Sequence, residues 1–260
     1  MKVAGVQFAS LMGEVDRNYD KARTLILQAA HGGADVIVLP EMWNTSFYPD
    51  NIVELADKDG QRTQDFLSGL SRQLGVNIVG GSVSNNRSGT LYNTTYVTDR
   101  DGRIIASYDK VHLFSPGAEN AVFTPGHDLN LFAVDGIPAA SIICYDLRFC
   151  EWVRMAALAG AQILFVPAAW LNPRLAHWQL LNTARAVENQ FFVAAVNSCG
   201  GSGNTTFCGG SRMIDPWGRV LAEAGQDDQI IMADMDFAQV QDIRSRINVF
   251  ADRRPDLYRQ

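Results

Sequence analysis

An α/β domain whose strands are covered on both faces is predicted by three features of this sequence. Short apolar runs alternate with amphipathic stretches of helical length along most of the chain. The runs "VIVLP", "ASIIC" and "ILFVP" lack strict apolar–polar alternation, the pattern of strands buried on both sides. No Pro/Gly/Ser-rich linker or break in composition interrupts the chain, so residues 1–260 read as one domain.

The elements follow in order. "KVAGVQF" (Lys2 to Phe8) is a short apolar strand, and "NYDKARTLILQAAHGGAD" carries Ala22, Leu25, Ala29 and Ala30 at helical spacing before a glycine stop. "DVIVLPE" is the second strand, "QRTQDFLSGLSRQLG" a polar helix and "VNIVGGSV" a further strand. Two β-rich segments, "TLYNTTYVTD" and "RIIASYDKVHL", meet at an Arg-Asp-Gly turn. The second half repeats the alternation: strand "IPAASIICYD", helix "CEWVRMAALAG", strand "AQILFVPAAW", helix "AHWQLLNTARAVENQ" and strand "FFVAAVN". A hairpin turning at Asp215 to Gly218, a strand "QIIMADMD" and a helix from Asp236 to Arg246 complete the reading. Two βαβ-like halves thus flank a β-rich centre.

Composition narrows the function. A chain of 260 residues with 47% hydrophobic content can bury one large core. A net charge of -6, with Lys and Arg scattered, argues against nucleic acid, which requires a basic surface to neutralise phosphates. The amino-terminal apolar segment is brief and broken by Gln7, unlike a signal peptide, and no run approaches the roughly 18 apolar residues of a membrane-spanning helix. Four cysteines, at 144, 150, 199 and 208, are too sparse for a disulfide scaffold, so a cytoplasmic protein with reduced thiols is expected. They contain no C-x-x-C pair and the histidines no H-x-x-x-H, so no metal is called for.

Ligands of open α/β sheets gather beyond the carboxyl ends of strands. The residues just after the three apolar runs are Glu41, Cys144 and the segment "PAAW", and three residues at strand ends have chemical potential: Glu41, Lys110 after "SYD" and Cys144. Each alone has an ordinary reading, as a solvated turn carboxylate, a surface cation and a small core residue. Together they form a set for covalent amide chemistry. A thiolate attacks a carbonyl, a neighbouring cation such as Lys110 lowers the thiol pKa and stabilises the oxyanion, and Glu41 takes the thiol proton and returns it to leaving ammonia. A papain-like pairing of Cys144 with His112 or His177 is weaker, because Glu and Lys already account for activation.

The segments "LPEMW", "YDKVHLF" and "ICYDLRF", in this order, resemble the three signature segments of the carbon–nitrogen hydrolase (nitrilase) superfamily. The resemblance implies a four-layer αββα sandwich with two central mixed sheets flanked by helices, a homodimer and no cofactor. It also implies a Glu41–Lys110–Cys144 triad, a second glutamate at Glu119 that positions substrate and lysine, and an oxyanion contact from the backbone N–H of Tyr145. The stretch "PAAWLNPRLAHWQLLNTARAVENQFFVAAVN" looks most like the ω-amidase branch, which acts on small dicarboxylate monoamides such as 2-oxoglutaramate. Deaminated-glutathione amidases, other small-amide amidases or carbamoylases, and a non-catalytic binding protein on the same scaffold are the alternatives.

A substrate of that kind ends in a carboxylate, for which a bidentate arginine is the natural partner. Arg174 and Arg148 are the candidates, Arg148 being assigned rather to an ion pair with Asp146 or Glu151. Trp170 offers an apolar wall that limits acyl length. Arg185 and Glu188 read as structural hydrogen-bonding groups, and Cys150, Cys199 and Cys208 as packing residues. The loop "NSCGGSGNTTFCGG" is expected to shape selectivity.

Overall fold

The computed structural model describes residues 1–202 and 205–258. Strand β1 (Lys2–Gln7) leads into helix α1 (Val15–His31), β2 (Val36–Val38), the one-turn helix α2 (Ile52–Leu55), β3 (Asp57–Lys58), helix α3 (Gln61–Leu74) and β4 (Asn77–Val79). Next come β5 (Val83–Arg87), β6 (Thr90–Thr98), β7 (Ile104–Asp109) and the short helix α4 (Glu119–Val122). The second half runs through β8 (Asn130–Val134), β9 (Ile137–Ser141), α5 (Cys150–Leu158), β10 (Ile163–Ala168), α6 (Leu175–Asn189) and β11 (Phe192–Asn197). A ribbon of β12 (Gly201–Ser202) and β13 (Thr205–Thr206) precedes β14 (Arg212–Ile214), β15 (Val220–Glu223), β16 (Gln229–Asp234) and α7 (Ala238–Arg246).

Two mixed sheets result. One is ordered β16-β1-β2-β4-β6-β5-β3 with β7 also paired to β6, and the other β15-β14-β11-β10-β9-β8. Because side chains alternate across a strand, each central strand feeds two cores. Val3, Val36, Val38, Ile163, Phe165, Phe192, Ala194 and Val196 meet in the layer between the sheets. Ala4, Val6, Ile37 and Leu39 point the other way, against Ala22 and Ile26 of α1 and Phe66, Leu67 and Leu70 of α3. In the second sheet Leu164, Val166, Val193 and Ala195 face Val153 and Ala156 of α5 and Trp178 and Ala186 of α6. Helices, sheet, sheet, helices: the expected αββα sandwich is the fold, and it explains the unalternating apolar runs. Gly5 sets the closeness of the two sheets, since a Cβ there would stand 2.8 Å from Met213 Cε and 2.9 Å from Val196 Cγ2.

Three sequence readings change. The segment read as one strand "VNIVGGSV" is two, β4 parallel to β2 and β5 antiparallel to β6. The break falls at Gly81, whose φ is +64° and whose position a Cβ would bring within 2.0 Å of the Pro40 carbonyl. Strand β8 was not foreseen, although it joins β9 through Asp135 and Gly136, both with positive φ, and Asp-Gly between apolar runs is a strong hairpin signal. The strand expected to reach Asp146 pairs only to Ser141, and Cys144–Arg148 form a 3-10 turn.

Candidate active site

The expected residues converge where the central strands end. Glu41 lies three residues past β2, Lys110 directly follows β7, and Cys144 opens the turn beyond β9. The loop carrying Glu41 is held by the chain around Gly81: Ser82 N–H donates to Pro40 O at 3.0 Å and Trp43 N–H to Ser82 O at 3.2 Å. Lys110, 1% exposed, is the cation between two carboxylates. Its Nζ stands 2.8 Å from Glu41 Oε1 and 2.8 and 3.0 Å from Glu119 Oε2 and Oε1. Glu119, the first residue of α4, is fully buried rather than solvated, and its Oε2 accepts from Phe114 N–H at 2.6 Å. Glu41 Oε2 accepts from Ala169 N–H at 2.7 Å, just beyond β10 in the other sheet. Burial works against the charge of Lys110, but Glu119 and then Glu41 outweigh it and hold the ammonium protonated well above the ordinary lysine range.

Cys144 has φ +45°, a left-handed conformation that costs a non-glycine residue of order 1–3 kcal/mol and persists only when its surroundings impose it. The imposing group is Asp146. This fully buried carboxylate accepts from Ile143 N–H at 2.9 Å, Tyr108 O–H at 2.8 Å, and His112 N–H at 2.8 Å, with His112 Nδ1 at 2.8 Å as well. It thereby ties the cysteine turn to β7, the strand that Lys110 directly follows. From the far side Arg185 Nε donates to Leu147 O at 3.0 Å while Nη1 pairs with Glu188 at 2.8 Å, the structural role expected of both.

The thiol meets the sequence expectation in part. Lys110 does lower the Cys144 pKa, but burial first and the negative charge of Glu41 next override it, and the thiol is pushed well above its ordinary range. In the free protein Cys144 is therefore a neutral S–H beside a carboxylate, not a preformed thiolate.

Above the thiol opens a pocket with about 320 Å³ of atom-free space, lined by Lys110, Phe114, Cys144, Tyr145, Trp170, Arg148 and Arg174, with Phe47, Ala169 and Leu171 completing it. Tyr145 follows Cys144 in the first turn of the 3-10 segment, where backbone amides have no partner within the turn. Trp170 is both pocket wall and core: 4% exposed, it packs with Trp178 and donates Nε1–H to Arg174 O at 3.0 Å. Arg148 does not form the ion pair expected with Asp146 or Glu151, because Asp146 is taken by Tyr108, His112 and Ile143, and Glu151 bonds to Cys150. Its guanidinium lies 4.8 Å over the Trp170 ring, and that of Arg174 lies 5.5 Å over Phe114. Neither arginine has a carboxylate partner among the described residues.

Sequence reasoning missed Asn93, Asp146 and Ala169. Asp146 stood within a quoted motif and Ala169 within "PAAW" at a strand end, whereas Asn93 carried no signal beyond its strand. Cys150, expected in packing, is exposed, while Cys199 and Cys208 are buried. The loop from Asn197 to Gly210 contributes Phe207, packed edge-on to Phe47 at 6.0 Å, and its residues 203–204 lie outside the described residues. His177 stands against Arg148, and His112 is held by Asp146 and stacked on Phe149 at 3.7 Å.

A buried Glu-Lys-Glu cluster beside a strained cysteine, on an αββα sandwich, defines a cysteine-dependent hydrolase of carbon–nitrogen bonds. The carbon-nitrogen hydrolase family model matches residues 2–245, and the chain belongs to that family. It is 43% identical over 256 residues to the 2-oxoglutaramate amidase of Bacillus subtilis (strain 168), covering 98% of each chain. It is 36% identical over 251 residues to the human omega-amidase NIT2, covering 93% of this chain and 91% of that protein. Among solved structures, an amidase mutant from Nesterenkonia sp. AN1, in which acrylamide has added to the active-site cysteine, superimposes with a TM-score of 0.84. That match has 29% identity over 95% of this chain and 97% of that one.

Proposed function

We propose that this amidohydrolase cleaves the terminal amide of short dicarboxylate monoamides, of the 2-oxoglutaramate and succinamate type, through a thioester on Cys144. The observation that carries the substrate class is the pair of guanidiniums, Arg148 and Arg174, that line a small apolar pocket over the thiol without carboxylate partners among the described residues. The names of the Bacillus subtilis and human relatives support the same class.

The geometry supports a sequence of steps. The Cys144 sulfur attacks the amide carbon as its proton passes to Glu41, so no free thiolate has to exist in the buried pocket. Lys110 Nζ and the Tyr145 N–H stabilise the developing oxyanion, a service worth most where water is excluded. The C–N bond breaks as Glu41 returns the proton to nitrogen, and ammonia leaves. Water then adds to the thioester carbon while Glu41 accepts its proton. Collapse of the second tetrahedral intermediate breaks the C–S bond, returns the proton to sulfur and releases the dicarboxylic acid. Glu119 holds Lys110 and, with it, the amide end of the substrate.

Arg148→Ala and Arg174→Ala test the substrate class. Each should raise KM for succinamate and 2-oxoglutaramate by about 10- to 100-fold, as loss of a charged hydrogen bond of about 1.5–3 kcal/mol implies. KM for a neutral aliphatic amide should stay within about threefold, because it presents no charged group to either guanidinium. Equal effects on acidic and neutral amides would remove the arginines from carboxylate recognition.

Residues 1–260 are read as one domain working as a cytoplasmic homodimer. The four free cysteines support a reducing compartment, and no helix among the described residues is long and apolar enough to cross a membrane. Met155 and Leu158 of α5 and Leu180 and Val187 of α6 are exposed on the outer helical layer, a face suited to self-association. Sedimentation should give a dimer, and Leu180→Glu combined with Val187→Glu should shift it toward monomer; a wild-type monomer at micromolar concentration would refute this.

A further inference from the structure

Asn93 has no part in the chemistry above, yet it touches both carboxylates. It sits on β6 with its backbone carbonyl accepting from Lys110 N–H at 2.9 Å. Its side chain, in a residue 1% exposed, donates from Nδ2 to Glu41 Oε1 at 2.9 Å and to Glu119 Oε1 at 3.0 Å. Lys110 Nζ bonds to the same two oxygens at 2.8 and 3.0 Å. The four atoms close a ring in which each carboxylate oxygen receives one ammonium proton and one amide proton. The orientation of the amide follows from its neighbours: carboxylate oxygens only accept, so the NH₂ must face them. Its Oδ1 is buried without a hydrogen-bond partner among the described residues, a cost tolerated because both amide protons are in use.

We propose that Asn93 is a positioning residue for the hydrolysis, holding Glu41 and Glu119 on either side of Lys110 with two uncharged donors. The uncharged character matters. Two carboxylates and one ammonium leave the cluster with one net negative charge, which keeps Glu41 able to accept the Cys144 proton. A second cation in place of the amide would neutralise the cluster and disfavour protonation of Glu41. An apolar side chain would leave the two carboxylates repelling one another with a single shared donor group. The inference rests on the reading of Glu41 as the proton acceptor. The titratable groups facing the two carboxylates are Lys110, Cys144 and Tyr48, the last with its hydroxyl donating to Gly117 O at 2.5 Å.

Asn93→Ala and the isosteric Asn93→Asp test it, with kcat, KM, the pH dependence of kcat/KM and the rate of Cys144 alkylation by iodoacetamide as readouts. An amide donor favours the charged form of a carboxylate, so its loss moves protonation of the cluster upward. Asn93→Ala should lower kcat by about 10- to 100-fold with KM within about threefold, the usual cost of losing a group that orients a reacting one. It should also shift the acid limb of kcat/KM to higher pH and slow alkylation by a comparable factor. Asn93→Asp, which adds a third carboxylate, should be more severe in all three. Where the alanine variant fails to fold, Asn93→Ser carries the same measurements. Wild-type kcat in a folded variant, or lost kcat with an unmoved acid limb and unchanged alkylation, would overturn the inference alone. Undiminished alkylation of Glu41→Gln would overturn Glu41 as the acceptor, and the inference with it.

Discussion

Cys144→Ala should abolish amide hydrolysis while leaving the protein folded. Loss of the nucleophile removes the covalent route altogether, so kcat should fall on the order of 10⁵-fold or more, about 7 kcal/mol of transition-state stabilisation. Folding should scarcely notice. The side chain lost is small, the left-handed turn is imposed by Asp146 and Arg185 rather than by sulfur, and alanine meets the same backbone cost as cysteine. The checks are ammonia release from succinamate and a thermal melt. A Tm within about 3 °C of wild type, with no turnover, separates chemistry from stability. Full turnover by the variant would mean that the nucleophile lies elsewhere.

Lys110→Met should cost both activity and stability, because methionine fills similar space but leaves Glu41 and Glu119 buried without their cation. Breaking a buried ion pair from one side typically costs about 3–5 kcal/mol, which for a chain of this size lowers Tm by roughly 6–20 °C. The loss should depend on pH in a way that the wild type does not. In the wild type, Lys110 is held above its unfolded value, so its stabilisation is fully present through neutral pH and fades only as pH rises through its raised folded value. In the variant, one of the two facing carboxylates has to keep a proton in the folded state that it gives up on unfolding. Stability should therefore fall as pH rises from 5 to 8. Urea melts across that range check the slope. Equal stability losses at pH 5 and pH 8 would show that the carboxylates are relieved by another group.

Much of this is legible in the sequence. Glu41 and Cys144 each end an apolar run, and strands buried on both faces leave such residues little to do except meet at the sheet ends, while Lys110 follows "SYD" at the end of a further strand. The two-sided burial of the runs around Val36, Ile142 and Ile163 was likewise visible, because alternation disappears when both faces of a strand are covered. The hairpin at Asp135 and Gly136 is equally legible from its turn residues, an Asp-Gly pair between apolar runs. Asn93 was not readable, since an asparagine among threonines and tyrosines on a strand looks the same whether it faces water or two carboxylates. Arg148 was assigned to the wrong partner because two acids lay near it in sequence, whereas Tyr108 and His112, more than 30 residues distant, had claimed Asp146 in space.

The sequence by itself determined the α/β class, the strand ends on which reactive groups fall and, through three ordered motifs, the kind of bond attacked. The tertiary structure alone decided the protonation of the thiol, the burial of Glu119 and the lack, among the described residues, of a carboxylate partner for either pocket arginine. Those properties depend on dielectric and on which groups face one another, and here they are set by contacts such as Glu41 with Ala169, 128 residues apart and following strands of different sheets. Local pattern places a side chain on a face; only the packing of one sheet against the other says what that face sees.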